Sequence, residues 1–217
     1  MSTIYRQFIP IVVLGNSDVG KTSLITQYTS QQFNENTLST IGYEFKIKNI
    51  NVNIDGKEKT IKLKIWDTAG QEKYREQILV PLKTCLGAII LYDITNNKSF
   101  ESVKEWIDLI DTKKDIKSFP LILVANKIDL NDSRIINYDD GKNLADKHNF
   151  PFFEISASKN IKVEETFKCL IDKIIEIYKK DFINDNDESK EENFELKKNK
   201  VQKESGCCAQ RTKERNK

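Results

Sequence analysis

From Ile4 to about Lys180, short apolar runs alternate with longer stretches in which apolar residues recur every three or four positions. Runs of the first kind read as strands and stretches of the second as amphipathic helices, so the alternation predicts an α/β fold. Ile11 to Leu14, Ala88 to Tyr92, Leu121 to Ala125 and Phe152 to Ile155 are nearly unbroken apolar runs. A strand covered by helices on both faces has no solvent side, so these four predict a parallel core. Pro10 has no N–H to give a ladder, which starts the first strand at Ile11 or leaves a fault at its beginning. Phe45, Ile47, Ile50, Val52 and Ile54, then Ile61, Leu63 and Ile65, approximate a period of two around Asp55-Gly56. That dipeptide accepts positive φ at both positions, so the segment predicts an antiparallel hairpin at the sheet edge. Helices are expected at Lys21 to Gln32, Ser99 to Asp111, Asp139 to His148 and Val163 to Lys180. After Ile183 only Phe194, Leu196 and Val201 have any apolar size. That is too little to offset ordering entropy, and residues 181–217 read as a disordered tail on a domain of residues 1–180.

Composition narrows the class. The chain has 217 residues, 31% charged and 38% hydrophobic, and no stretch approaches the roughly 20 apolar residues of a membrane-spanning helix. The segment Met1 to Phe8 lacks the apolar core of a secretory signal, and Ser2 stands where N-myristoylation needs glycine, so a cytoplasmic placement is expected. Cys85, Cys169, Cys207 and Cys208 lack metal-ligand spacing, and His148 is the one histidine. Structural zinc and a Cys-His nucleophile pair are thereby disfavoured, and Cys85 and Cys169 read as small buried groups. The net charge of +2 conceals a basic end, because residues 197–217 hold eight Lys/Arg against two Glu. An acidic body with a basic end argues against nucleic acid as partner and for a tail that meets an anionic surface.

The chemistry starts at Gly15-Asn16-Ser17-Asp18-Val19-Gly20-Lys21-Thr22, which follows an apolar strand and opens a helical pattern. In that context GxxxxGK[ST] reads as a phosphate-binding loop. Its glycines let backbone N–H groups turn inward, and the helix behind adds its positive end. Lys21 would reach the β- and γ-phosphates, and Thr22 would offer a hydroxyl to Mg2+, which prefers oxygen ligands. Asp67-Thr-Ala-Gly70 follows another strand and places a carboxylate near that metal, with a glycine N–H for the γ-phosphate. Asn126-Lys127-Ile-Asp129 follows a third. Its Asp can accept from both N1–H and the exocyclic amine of guanine, donors that adenine lacks in that arrangement. After the last strand Ser156-Ala157-Ser158 can present the Ala157 N–H to the guanine O6. All four pieces fall at the C-terminal ends of expected strands, where open α/β sheets bind ligands.

On these motifs residues 8 to 178 resemble a Ras-superfamily small GTPase, and within it the Rab family. The Rab-like pieces are Ile41-Gly42-Tyr-Glu-Phe45, Lys62-Leu-Lys-Ile-Trp66, Leu91-Tyr-Asp-Ile-Thr-Asn96, Ser99-Phe100 with Trp106 downstream, and the pair Cys207-Cys208. The resemblance implies a P-loop NTPase fold with a six-stranded, mostly parallel sheet, one antiparallel edge strand and helices on both faces. It implies a GTP/GDP switch that hydrolyses GTP slowly with Mg2+ and acts in vesicle traffic. Thr40 would join Thr22 and, through water, Asp67 around the metal, Ser23 would follow them at the phosphates, and Phe33 would pack against the guanine. Lys127 would cover the base plane and Gln71 would orient the attacking water. Ile41, Gly42, Phe45 and Trp66 would meet effectors. An exchange factor, a GTPase-activating protein and Rab escort machinery would be further partners, with the protein peripheral on the cytosolic face of an intracellular or plasma membrane.

Several residues depart from that pattern. Asp18 stands where a small residue is usual; its side chain either turns into solvent or repels the phosphates and weakens nucleotide retention. Thr37 replaces a tyrosine, Pro81-Leu82-Lys83 replaces Tyr-Tyr-Arg in switch II, and Ser158 replaces a lysine. Asp18 and the altered switch II keep open an atypical, binding-only relative that does not cycle. A P-loop nucleoside kinase is disfavoured by the guanine-reading Asp129. Cys207 and Cys208 follow Lys197, Lys198, Lys200 and Lys203, which suits dual lipid anchoring of a basic tail. Ala209 to Lys217 comes after them, however, so transfer could be blocked, require trimming, or give way to palmitoylation, and unmodified cysteines are the alternative.

Overall fold

The computed structural model describes residues 8–33, 40, 42–70 and 75–183. In chain order these form β1 (Phe8–Leu14), α1 (Lys21–Ser30), β2 (Tyr43–Ile54), β3 (Lys57–Thr68), α2 (Arg75–Thr84) and β4 (Gly87–Asp93). Next come α3 (Asn97–Glu101), α4 (Val103–Asp111), β5 (Leu121–Asn126), a 3-10 turn at Ile128–Ser133, α5 (Tyr138–Lys147), β6 (Phe152–Glu154) and α6 (Val163–Ile183). The strands make one sheet in the order β2-β3-β1-β4-β5-β6. Only β2 runs antiparallel to its neighbour. This is the mixed, mostly parallel sheet that the apolar pattern and the family resemblance anticipate.

Alternation along each central strand divides the core. Ile9, Ile11 and Val13 of β1 join Leu24, Ile25 and Tyr28 of α1 and Phe167, Leu170, Ile171 and Ile174 of α6 on one face. Val12 and Leu14 join Ile78 and Leu82 of α2, Val103, Trp106 and Ile110 of α4 and Ala145 of α5 on the other. A strand with helices over both faces must be apolar at every position, which is why β4 and β5 are buried throughout. The edge hairpin turns on Asp55 (φ 53) and Gly56 (φ 77), a two-residue loop with the positive φ values that match strand twist. Lys179 of α6 pairs with the Asp55 carboxylate.

The structure departs from the sequence expectation at five places. The first strand begins at Phe8 rather than Ile11, and Pro10 sits inside it, opposite Lys64 of β3. Its carbonyl accepts from Leu86 at 2.7 Å. In a parallel ladder the N–H and C=O of one residue point the same way, so the missing N–H faces the flank where β4 has not yet begun. The helix expected over Ser99 to Asp111 is two helices meeting at Ser102, with the Asn96 side chain accepting from Ser99 N–H at 3.2 Å to start the first. Helix α2 was not anticipated, because Pro81 inside it breaks the pattern; Ile78 and Leu82 are nevertheless fully buried one turn apart. Helix α6 continues past Lys180 to Ile183, delivering Phe182 to the core. Lys59 donates to the Phe182 carbonyl at 2.7 Å. Cys85 is buried as expected, whereas Cys169 is half-buried.

The chain divides into two compact units, Met1–Phe182 and Ile183–Lys217, and of the second only Ile183 belongs to the described residues. The disordered tail expected there, with Cys207 and Cys208, therefore lies outside them.

Gly141 separates packing from propensity. Alanine in a helix is ordinarily favoured over glycine by about 1 kcal/mol. Here an added Cβ would lie 2.2 Å from the Tyr92 hydroxyl and 2.6 Å from the Phe152 ring tip. Gly141→Ala is expected to destabilise by about 1–3 kcal/mol through overpacking, seen as a lower urea midpoint with an unchanged slope.

Candidate functional site

All four motifs leave the sheet at the C-terminal ends of its parallel strands. Residues 15–20 link β1 to α1, which starts on Gly20 in the left-handed region (φ 96, ψ 28) with no side-chain cap and no acidic residue in its first turn. Its first N–H groups and the positive end of its dipole are thus left to the loop. A Cβ on Gly20 would lie 2.4 Å from Asn126 Nδ2. That amide, buried at the end of β5, donates to the Val19 carbonyl at 2.8 Å and accepts from the Ala157 N–H at 3.1 Å. One side chain therefore ties the Gly15–Thr22 loop to the Ser156–Ser158 loop.

Lys21 lies inside the first of these loops, 6% exposed. Its ammonium donates to the carbonyls of Gly15 at 3.0 Å and Asn16 at 2.7 Å. Burial lowers its pKa to about 8, against the pull of the Asp67 and Asp18 carboxylates. Next to it, Thr22 Oγ1 donates to Asp67 Oδ2 at 2.7 Å and lies 3.1 Å from Thr40 Oγ1. Burial raises the Asp67 carboxyl above the usual carboxylate range, opposed by the Thr22 hydroxyl and Lys21. Its second oxygen, Oδ1, is buried with no hydrogen-bond partner among the described residues. Two hydroxyls and a carboxylate with an orphaned oxygen form an all-oxygen donor set that fits a hard divalent cation such as Mg2+. Gly70 rests directly on the loop, since a Cβ there would lie 2.2 Å from the Asn16 carbonyl carbon and 2.3 Å from Ser17 N.

At the other end, Asp129 accepts from Ser156 Oγ at 2.5 Å on Oδ1 and from Ser158 Oγ at 2.9 Å on Oδ2. Partial burial opposes its charge, but these two hydroxyls, a backbone hydrogen bond and Lys159 together outweigh it and hold the carboxyl below the usual range. Lys127, in the left-handed region, pairs with Asp93.

Ser17 and Asp18 crown the loop, exposed. Asp18 adopts φ 63, a region that Asp tolerates better than most residues. Its exposure favours the solvent-facing reading. Val19 is buried, Ser23 is half-buried in the first turn of α1, and Phe33 is 39% exposed beyond that helix. Gly42 is buried. Phe45, 48% exposed, meets the half-buried Trp66 edge-on at 5.2 Å, with the Lys64 ammonium 4.1 Å from both ring centres. Ile41 and Gln71 lie outside the described residues.

Three partners of site residues, Trp106, Ser102 and Asp93, were not read as such from the sequence. Asn16 accepts from Trp106 Nε1 at 2.9 Å and donates to Ser102 Oγ at 3.0 Å, fastening the loop to α4. Asp93 holds Lys127. Each pair is far apart in sequence, and its residue types alone give no signal of the contact.

The comparisons agree with this geometry. A family model described as the Ras family matches residues 10–176. Ras-related protein Rab-3A of Homo sapiens is 43% identical over 166 residues, covering 76% of this chain and 73% of the relative. Ras-related protein Rab-3C of Bos taurus is 43% identical over 162 residues, 75% of this chain and 69% of the relative. Ras-related protein Rab-3D of Homo sapiens is 42% identical over 166 residues, 76% and 74% respectively.

If two serine hydroxyls keep Asp129 ionised, removing one raises its pKa. A carboxyl held below its unfolded value of about 3.9 contributes stability above that value, which is lost as pH falls through the lower folded one. Ser158→Ala should shift the Asp129 carboxyl titration upward by NMR and shrink that contribution. An unmoved midpoint would mean that Ser158 does not hold the charge.

Proposed function

Because this chain belongs to the Rab group of the Ras family of small GTPases, we propose that the cluster at the sheet's C-terminal edge is a guanine-nucleotide switch with Mg2+ as cofactor. The observation that carries this is the Asn126 bridge, which fixes a phosphate-type loop and a carboxylate flanked by serines in one rigid unit. Lys21, the first N–H groups of α1 and the loop backbone take the β- and γ-phosphates. Thr22, Thr40 and Asp67 hold the cation, which when bound neutralises phosphate charge. Asp129 accepts from the two guanine donors, Ala157 N–H meets O6, Lys127 lies over the base and Phe33 stands at its edge.

Hydrolysis on this reading is positioning plus electrostatics, with Gln71 orienting water. Among the described side chains the one arginine, Arg134, is committed to Glu154 through two hydrogen bonds of 2.6 and 3.3 Å. Among the described side chains the site thus has no arginine of its own, and turnover is slow until an activating partner raises it by roughly 10³ to 10⁵. GTP orders the segments around Thr40 and Gly70 and so presents Ile41, Gly42, Phe45 and Trp66 to effectors, and hydrolysis releases those segments. An exchange factor resets the switch. The binding-only alternative rests on Asp18 and Pro81, and the exposure of Asp18 favours a cycling protein.

Vesicle traffic, escort by Rab machinery and residence on the cytosolic face of an intracellular or plasma membrane complete the reading. The domain would end near residue 180, and residues 181–217 would form a basic tail lipidated at Cys207 and Cys208. The described residues contain no helix long and apolar enough to cross a membrane, so attachment falls to the tail. Intact mass from the native cell should show added lipid, and Cys207→Ser with Cys208→Ser should move the protein out of the membrane fraction. An unmodified mass with unchanged partitioning overturns the anchor.

The switch itself is tested by nucleotide. Purified protein should carry GDP or GTP and discriminate against ATP, and Asp129→Asn should shift preference to xanthosine triphosphate. Gln71→Leu should slow single-turnover hydrolysis at least about tenfold with little change in affinity, because a misplaced water costs rate rather than binding. Equal competition by ATP overturns the guanine reading, and a parental rate in Gln71→Leu overturns the catalytic one.

A further inference from the structure

The Lys127 ammonium lies 2.7 Å from Asp93 Oδ2, with 30% of the lysine side chain but only 7% of the aspartate side chain exposed. Asp93 is fixed on every side. Its Oδ1 accepts from the Thr95 N–H and the Thr95 hydroxyl, both at 2.8 Å, and its own N–H donates to Ser99 Oγ at 3.0 Å. It ends β4 in register with Asn126 of β5, the residue that joins the two loops. Lys127 itself stands at φ 69, ψ 33, a backbone region that a lysine rarely occupies. Both ends of the lysine side chain are therefore held by the protein itself.

We propose that Asp93 is a positioning residue for the nucleotide base: it clamps the Lys127 ammonium so that the four-carbon stem is already ordered where guanine is received. The proposal rests on the guanine reading above. A free lysine stem samples many rotamers, and fixing one on binding subtracts from affinity. A stem held at its backbone by a left-handed residue and at its head by a buried carboxylate has lost that freedom during folding. The carboxylate also gains, since a buried charge is costly unless it is paired and hydrogen-bonded. Thr95 supplies the donors and Lys127 the cation.

Asp93→Asn keeps the shape and can still accept from Thr95, but it turns an amide toward the ammonium and releases the lysine. GDP should leave up to about tenfold faster, the size expected when one rotamer-rich side chain must be immobilised on binding, with association little changed because such effects fall mainly on dissociation. Preference for GDP over ADP should persist, since Asp129 is untouched. Lys127→Met should accelerate release by a similar factor, and Asp93→Asn added to Lys127→Met should bring no further acceleration. Thr95→Val, which removes one support of Asp93 from a half-buried loop position, should give a smaller acceleration of about twofold to threefold. This variant keeps the test open if Asp93→Asn folds poorly. Parental GDP release from Asp93→Asn, or its full effect persisting on the Lys127→Met background, overturns the proposal and assigns Asp93 to the support of β4 alone. Absence of any parental preference for GDP over ADP removes the base-site reading and this proposal together, whereas that preference with a flat cycle removes only the clamp.

Discussion

Asn126 is where the two halves of the site are made to agree. Its amide donates to Val19 and accepts from Ala157, partners that lie far apart in sequence. Both contacts are buried, where an unmet donor or acceptor would be costly. Aspartate in its place would offer no donor to the Val19 carbonyl, and an apolar residue would strand both backbone groups. The bridge requires Gly20, because a Cβ there would collide with the Asn126 amide. It also sets where the chain goes next, into the left-handed turn of Lys127 and on to Asp129. The distance between the Gly15–Thr22 loop and Asp129 is therefore fixed by one amide in a rigid sheet rather than by the loops themselves.

The sheet makes that precision possible. Parallel strands buried on both faces have little freedom to slide, since a one-residue slip would exchange the two cores. The motifs sit at strand ends that cannot move independently, with β1, β4 and β5 in continuous register. Asn16 adds a tie in a third direction, through Trp106 and Ser102 to the helical layer. The Asn16 backbone is also the surface on which Gly70 rests and whose carbonyl Lys21 holds. A shift of α4 would thus be felt at the phosphate lysine and at the glycine that precedes switch II.

Residue patterns revealed the elements whose cause is local. Unbroken apolar runs marked β4 and β5, Asp55-Gly56 marked the hairpin, and GxxxxGK[ST] marked the loop and the start of α1. Elements whose cause is tertiary stayed hidden. Helix α2 contains Pro81, which argues locally against a helix, and its place is secured by burial of Ile78 and Leu82. Pro10 reads as a strand breaker until the late start of β4 removes the need for its N–H. The run to Ile183 follows from burial of Phe182 against the hairpin side of the core, which no periodicity in the tail could announce. At the site the nucleotide motifs were legible because each is contiguous. The contacts of Asn16 with Trp106 and of Lys127 with Asp93 join segments separated by whole elements, and only the fold brings them together.

The two ends of the site solve opposite electrostatic problems. At the base end, Asp129 is partly exposed and its charge is stabilised by two hydroxyls, so the carboxylate is ready to accept without rearrangement. At the phosphate end, Lys21 and Asp67 are both buried deeply enough that burial disfavours the charge on each. Neither problem has a remedy of one sign. An anion beside Lys21 favours its ammonium but repels Asp67, and a cation beside Asp67 favours its carboxylate but repels Lys21. Anion and cation arriving together satisfy both, with the orphaned Asp67 oxygen and the uncapped end of α1 aligned to receive them. On the proposed reading, cooperation between phosphate and divalent metal follows from the placement of Lys21 at the start of α1 beside Asp67 at the end of β3. On the proposed reading the base end adds affinity and selectivity without taking part in that exchange.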